Sequence, residues 1–307
     1  MDKLQALKTL LEVADAGGFA KAAQRMGVAT SSVTRLMDAL EASLGAALLT
    51  RTPRRVSLTD AGIAYVAQIG KVLDDLADAD ESVFDSGASP VGVLRVAVPS
   101  TFGRLRLAPH FAAFLAEYPR VVLDIVVADH YADLATERID VAVRIGLPDR
   151  DADLVVRKLA DNPRFVVASR DYLARCVVPQ QPQDLALHEC LRFAYGGSHR
   201  ARQTWTFREK DGAETRVEVH GRLLSNNVDM LLEAALAGRG IALLPGWLVE
   251  ADVRAGRLLR LLERHEASPQ DAHAIVYAAY LPNRRRSSKV RALVRFLEMR
   301  VGIAGEA

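Results

Sequence analysis

Apolar residues recur along the first fifty positions at the three- and four-residue spacing of helices, in bursts separated by glycine. Leu4, Leu7, Leu11 and Ala14 form the first burst. They predict an amphipathic helix that stops at Gly17-Gly18. Phe19, Ala22, Ala23 and Met26 form the second. Gly18 is its N-cap, and Gly27 is a sharp turn where a residue lacking Cβ takes a left-handed conformation. Val33, Leu36, Met37, Leu40 and Leu44 form the third, with Thr30 as N-cap. After Gly45 the core is rejoined by Leu48 and Leu49, and Thr50 through Thr59 reads as strand, Pro53 turn and strand.

The pattern then lengthens. Tyr65, Ile69, Val72, Leu76, Ala79 and Val83 are spaced as a heptad seam, which Leu73 widens. Such a helix either packs on its own domain or pairs two copies of the chain, and its densely acidic outer face favours pairing. Small residues and Pro90 end it in a hinge at about 87–91.

From Gly92 onward, short apolar strands alternate with helices. Val93–Val98, Val121–Val127 and Val141–Ile145 read as buried strands, with helices over Leu107–Glu117 and Tyr131–Glu137 between them. A second set follows: strands Phe165–Ala168, Leu191–Phe193 and Ile241–Leu244, a helix Val228–Ala237, a late strand Ala274–Ala279 and a last helix Ser288–Val301. This alternation predicts an α/β domain with mainly parallel sheet. Two sets with a late return predict two lobes around a cleft.

The chain has 307 residues, enough for two or three domains. No apolar run is long enough to span a bilayer, and Met1-Asp2-Lys3-Leu4-Gln5 does not begin a signal peptide. Cys176 and Cys190 make neither a disulfide framework nor a metal site. The expected location is the cytoplasm. Net charge is +2, but its distribution is uneven. Residues 1–62 carry eight Lys/Arg against six acids, and residues 63–87 one Lys against six acids. A basic tip on an acidic rod suggests that the tip alone meets a polyanion.

The chemistry of the tip fits that partner. Thr30, Ser31, Ser32, Thr34 and Arg35 start the third helix, where short hydroxyls and one arginine can meet phosphates and base edges in a major groove. Hydroxyls at a helix start are also ordinary caps. The ribbon's Arg51, Arg54 and Arg55 favour the DNA reading. In the α/β half, ligands sit beyond the carboxyl ends of strands. Ser100 and Thr101 either hold an anion at a helix start or cap the helix. Arg144 either forks onto a carboxylate or pairs with Asp129 or Asp140. Asn226, after Ser225, either touches ligand or caps the Val228 helix, and Phe193 and Tyr195 supply an apolar wall. No phosphate loop, nucleophile elbow or clustered metal ligands occur, so no catalytic residue, metal or cofactor is assigned. His188 reads as a satisfied core or loop histidine. Cys176 and Cys190 lack the basic niche of reactive thiols. Arg284-Arg285-Arg286 reads as a solvated loop.

Phe19-x-x-Ala22-Ala23, Val33-Thr34, Leu40-Glu41, Gly45-x-x-Leu48, Arg51 and Leu58-Thr59-x-x-Gly62 resemble the winged helix-turn-helix of LysR-type transcriptional regulators. Gly92-x-Leu94-Arg95-Val96, Tyr118-Pro119-x-Val121, Ile139 through Gly146, His188 through Leu191, Asn226-Asn227 and Gly238-x-Gly240-Ile241-Ala242-x-Leu244-Pro245 resemble that family's effector domain. The resemblance covers nearly the whole chain. It implies a winged helix-turn-helix at 1–60, a linker and dimerisation helix at 61–86, and at 92–307 a two-lobed α/β domain similar to a type 2 periplasmic binding protein. The lobes are expected at about 92–163 with 268–307, and 164–267. Thr30, Thr34, Gly18, Ala20 and Leu49 depart from the family's usual residues, and the first two lie on the reading face. The implied partners are an imperfect inverted repeat in double-stranded DNA, a small effector such as a carboxylate, a second or further copies of the chain, RNA polymerase if it activates, and no membrane. The competing reading is an enzyme or solute carrier whose N-terminal helices serve assembly.

Overall fold

Glycines and a half-buried carboxylate, more than hydroxyl caps, shape the N-terminal unit. The structure is a computed structural model that describes residues 2–51, 56–83, 90–148, 153–194, 203–269 and 275–301. The chain divides into two compact units, Met1–Ser86 and Gly87–Ala307.

In the first unit, α1 (Lys3–Ala16) starts where the Asp2 carboxylate accepts the Gln5 N–H. Next comes α2 (Phe19–Met26), which ends at Gly27 with φ 67°, where the glycine N–H reaches the Ala23 and Gln24 carbonyls. Only a residue lacking Cβ takes that conformation without strain. α3 (Thr30–Leu44) follows, then the hairpin strands β1 (Leu49–Arg51) and β2 (Val56–Leu58), and the long α4 (Asp60–Val83).

Two details differ from the periodicity. The buried side of α1 is Ala6, Leu7, Leu10 and Val13, whereas Leu4 is exposed and Leu11 and Ala14 are half-buried. Both stripes are apolar, and packing against α2 and α3 selects the one with the smaller residues. Thr30 is not a cap: extended Ala29 occupies that position with no side-chain bond, and Thr30 is already helical.

The hairpin is pinned at its base. The Glu41 carboxylate on α3 accepts the N–H of Leu48 at 2.7 Å and of Leu49 at 2.9 Å. Thr59 donates its hydroxyl to the Ala47 carbonyl and accepts the Gly62 N–H. A Cβ on Gly62 would lie 2.0 Å from the Leu48 carbonyl oxygen, so helix α4 can approach the hairpin only with glycine there. This explains why Leu58-Thr59-x-x-Gly62 is spelled as it is. The heptad seam of α4 divides. Tyr65, Ile69 and Leu73 pack on this unit's own core, while Val72 and Leu76 are exposed. The side chains of Ala79 and Val83, and residues 84–89 with most of the expected hinge, lie outside the described residues.

The second unit begins with β3 (Gly92–Val98), the helical turn α5 (Ser100–Phe102), a π-helical turn Gly103–Leu107 and α6 (Ala108–Glu117). β4 (Val121–Val127), β5 (Val141–Gly146) and β6 (Val155–Asp161) complete its first pass. The chain then crosses at Asn162-Pro163 into a second sheet. That sheet is built from β7 (Arg164–Ser169), β8 (Cys190–Phe193), β9 (Gln203–Arg208), β10 (Glu214–Val219), β11 (Leu224–Ser225), β12 (Ile241–Pro245), β13 (Leu258–Leu261) and β14 (Glu266–Ser268). Helices α7 (Arg170–Leu173), α8 (Val228–Leu236) and α9 (Gly246–Arg254) cover it. The chain returns as β15 (Ile275–Tyr280) and α10 (Ser288–Val301).

The first sheet has the order β4-β3-β5-β15-β6. β3 runs parallel to β4 and β5, but β15 is antiparallel to both β5 and β6. In the second sheet β8 is parallel to β11 and β12, while β7 is antiparallel to β12, β13 and β14, and β9 and β10 form a hairpin. The expectation of mainly parallel sheet therefore fails in the second lobe. Its extra strands come from the β9–β10 hairpin, turned at Asp211-Gly212, and from β13 and β14. An Asp-Gly pair is a strong hairpin signal, and the alternation reading passed over it.

The helix expected over Tyr131–Glu137 is also absent: the segment is a run of turns. The Asp133 carboxylate accepts the N–H groups of Ala135 and Thr136, a local bond that competes with helix. Separate apolar clusters fill the first lobe and the two faces of the second sheet.

Candidate functional site

Helix α3 is split lengthwise. Val33, Met37 and Leu40 are buried, whereas Thr30, Ser31 and Arg35 are exposed near its start. Ser32 and Thr34 lie half-buried on the flanks, and the Thr34 hydroxyl donates back to the Thr30 carbonyl. The surface offered outward is thus Thr30, Ser31 and Arg35. Helix α2 braces this arrangement: Arg25 forms ion pairs with Glu12 and Asp15 on α1. Arg51 sits at the end of β1, but its side chain, and all of Arg54 and Arg55, fall outside the described residues.

The second unit holds a cavity of about 1090 Å³ between its two sheets. The first sheet contributes the ends of β3, β4 and β5, the place expected for ligands in such folds. Thr101, Arg144, Phe193, Ser225 and Asn226 all line it, and Ser100 does not. Tyr195 lies outside the described residues. The walls are largely apolar, with Phe102 and Trp247 in edge-to-face contact at 5.2 Å. Trp247 is held by its indole N–H, which donates to Asn162 where the chain changes lobes.

The helix start thought to hold an anion is already occupied by the protein's own carboxylates. Asp129 accepts the Ser100 N–H at 2.9 Å and the Ser100 hydroxyl at 2.6 Å. From the other lobe, the Asn227 amide donates to both Ser100 Oγ and Asp129, each at 2.9 Å. Beside them, the Thr101 hydroxyl donates to Asp229 at 2.9 Å, and Arg104 stands 3.5 Å from the same carboxylate. These bonds latch the lobes at one rim. Partial burial works to raise the Asp129 pKa, but the bonds from Ser100 and Asn227 outweigh it, and the carboxyl titrates below its ordinary value. Asn227 is also the cap of α8, accepting the N–H groups of Asp229 and Met230. The capping role considered for Asn226 thus belongs to its neighbour, which leaves Asn226 exposed at the cavity.

The cavity's two arginines are in different states. Arg144 on β5 does not pair with Asp129 or Asp140. Its guanidinium donates to the Ala132 carbonyl at 2.8 Å and lies over the Tyr131 ring. Burial, with the neighbouring Tyr131, pushes the Tyr277 pKa upward. Arg164 opens β7 in the other lobe. It is only 9% exposed, and its Nε and Nη1 are buried without a hydrogen-bond partner among the described residues. The residue reading passed over Arg164, because the apolar run that marked the strand begins one position later. A charge abutting such a run just after Asn162-Pro163 was the available signal. Asn227, Asp229 and Trp247 were missed, and Asp129 was weighed only as a partner of Arg144, since the bonds between Asn227 and Asp129, Thr101 and Asp229, and Trp247 and Asn162 each join distant segments.

The remaining motifs resolve simply. His188 is buried against the Tyr172 hydroxyl at 3.1 Å, and burial lowers its pKa. Cys176 and Cys190 are free, and burial raises the Cys190 thiol to about 12. Arg284 does not join a solvated run: it turns inward to Asp140 at 3.4 Å, leaving Arg285 and Arg286 exposed. No described helix is long and apolar enough to cross a membrane.

Two family models match the chain. One, described as bacterial regulatory helix-turn-helix protein, lysR family, covers residues 4–63, and the other, LysR substrate binding domain, covers residues 87–301. The HTH-type transcriptional regulator PtxR of Pseudomonas aeruginosa is 36% identical over 97% of this chain and 93% of its own length. The regulator CrgA of Neisseria meningitidis serogroup C is 32% identical over 96% of each protein. The solved structure of CrgA from Neisseria meningitidis, a LysR-type transcriptional regulator, aligns with a TM-score of 0.58 at 31% identity, over 97% of this chain and 98% of that one.

Proposed function

This chain belongs to the LysR family of HTH-type transcriptional regulators, and we propose that it reads an imperfect inverted repeat through paired copies of α3. As a member, it is a sequence-specific DNA-binding regulator with a C-terminal effector-binding domain. In the finer reading, Thr30, Ser31 and Arg35 meet base edges and phosphates in the major groove, and Ser32 and Thr34 support them. Arg51, Arg54 and Arg55 grip flanking phosphates. The exposed Val72 and Leu76 of α4 pair two copies of the chain, because a two-fold protein suits a two-fold site. A small effector occupies the cavity and shifts the population of lobe arrangements, and the change reaches the DNA-binding unit across the segment at 87–91. An activating member would also contact RNA polymerase. No catalytic role is proposed.

The observation that carries the DNA reading is the lengthwise split of α3, with Val33, Met37 and Leu40 in the core and Ser31 and Arg35 outside. Fluorescence anisotropy against DNA flanking the chain's own gene tests it. Arg35→Ala is expected to weaken specific binding at least about tenfold. Replacing Arg54 and Arg55 together is expected to reduce the slope of log K against log salt by about two. An unchanged slope would remove the hairpin from the DNA contact.

A further inference from the structure

Arg164 is a buried cation with no counter-charge among the described residues. Its side chain faces a cavity, is 9% exposed, and leaves Nε and Nη1 buried and unbonded among the described residues. A guanidinium does not shed its proton at physiological pH, so neutralisation cannot relieve the cost of burying it. The carboxylate that lines the same cavity, Asp129, is engaged by Ser100 and Asn227. Arg144, the other cation there, is committed to the Ala132 carbonyl and the Tyr131 ring. No described residue thus supplies the anion, which points to a bound ligand as its source.

We infer that Arg164 is the anchor for a carboxylate-bearing effector whose apolar body lies against Phe102, Trp247, Val143 and Ile145. The inference rests on the reading of this cavity as the effector site, and adds the chemical class and the residue that selects it. A carboxylate suits the site because a guanidinium edge offers two parallel donors beside apolar walls. The walls also favour a flat or branched hydrocarbon body over a polar one. Arg144 then acts as a brace for the Tyr131–Ala132 loop and not as the anion receptor.

The test is a thermal-shift titration of the full chain with benzoate, phenylacetate and cinnamate, their primary amides, and inorganic phosphate. Wild type, Arg164→Met and Arg164→Lys are compared. At least one acid is expected to raise the wild-type Tm, since a ligand bound by the native state alone stabilises it. Its amide and phosphate are expected to do nothing at the same concentration. Arg164→Met should weaken the acid at least about thirtyfold, and Arg164→Lys should keep a reduced response. Arg164→Met should also raise the ligand-free Tm by roughly 2–4 °C, because it removes an unpaired buried charge. The assignment is overturned if no acid acts, if an amide or phosphate acts equally, if Arg164→Met keeps the response, or if that variant is less stable without ligand. Anisotropy with the flanking DNA runs alongside. Specific DNA binding without any acid response defeats the Arg164 assignment alone, and loss of both defeats the wider reading.

Discussion

The DNA-reading unit and the cleft use their polar side chains in opposite ways. On α3 the groups proposed to meet DNA, Ser31 and Arg35, are exposed, and the polar groups that build the scaffold, Glu41 and Thr59, are bonded to backbone. In the cleft the polar groups at the rim are spent on one another across the lobes, from Asn227 to Ser100 and Asp129 and from Thr101 to Asp229. The first region is a fixed template whose shape precedes its ligand. The second is a latch, so under the proposed effector binding a ligand there would compete with intramolecular bonds and could convert binding into movement. A reader gains from rigidity, because misplacing α3 by even 1 Å spoils a groove contact. A sensor gains from bonds weak enough to be exchanged.

This contrast can be broken most severely at Gly62. Gly62→Ala forces a Cβ toward the Leu48 carbonyl, which must move away. The expected cost is about 3 kcal/mol or more, seen as a loss of the reading unit's denaturation transition together with specific DNA binding. Wild-type binding by this variant would mean that the template is not preset. A smaller change, Glu41→Ala, strands the N–H groups of Leu48 and Leu49 and is expected to cost about 2 kcal/mol. Glu41→Gln keeps a carbonyl acceptor and should recover most of it. If both variants melt alike, the negative charge of Glu41 matters more than its bonds to backbone.

The gentlest test addresses the latch. The folded-state pKa of Asp129 lies below its unfolded value. Its contribution is therefore complete above the unfolded value, near 4, and is lost as pH falls through the folded one. Across pH 5 to about 3 the wild-type Tm should decline more steeply than that of Asp129→Asn. Identical pH profiles would show that the rim bonds add nothing to stability.

The legibility of the two regions follows the same division. The reading unit was legible because its signals are local: apolar spacing along α2 and α3, a glycine turn, and a basic hairpin within sixty residues. Even there, α1 offered two adjacent apolar edges, and only packing chose Ala6 and Val13 over Leu11 and Ala14. Four strands of the first lobe were legible as apolar runs, but β6, with Arg157, Lys158 and Asp161 among its residues, was not, and neither were the directions, since β15 enters the sheet from more than a hundred residues away. In the cleft, Thr101, Arg144, Phe193 and Asn226 were found because strand ends mark such sites. Arg164 was not, because it opens its strand; Trp247 was not, although it follows the carboxyl end of β12. Asn227 was passed over for Asn226 although its bonds to Asp229 and Met230 follow ordinary capping geometry.

The placement of β15 has a consequence in time. It lies between β5 and β6, yet residues 162–274, with all of the second lobe's strands, are made before most of it leaves the ribosome. At ordinary translation speed that interval is roughly ten seconds. During it the reading unit is complete, the second lobe can close on itself, and the first sheet still has open edges at β5 and β6. A nascent chain stalled before Ile275 therefore lacks the strand that joins β5 to β6. The late strand makes closure of the first sheet wait until nearly the end of synthesis.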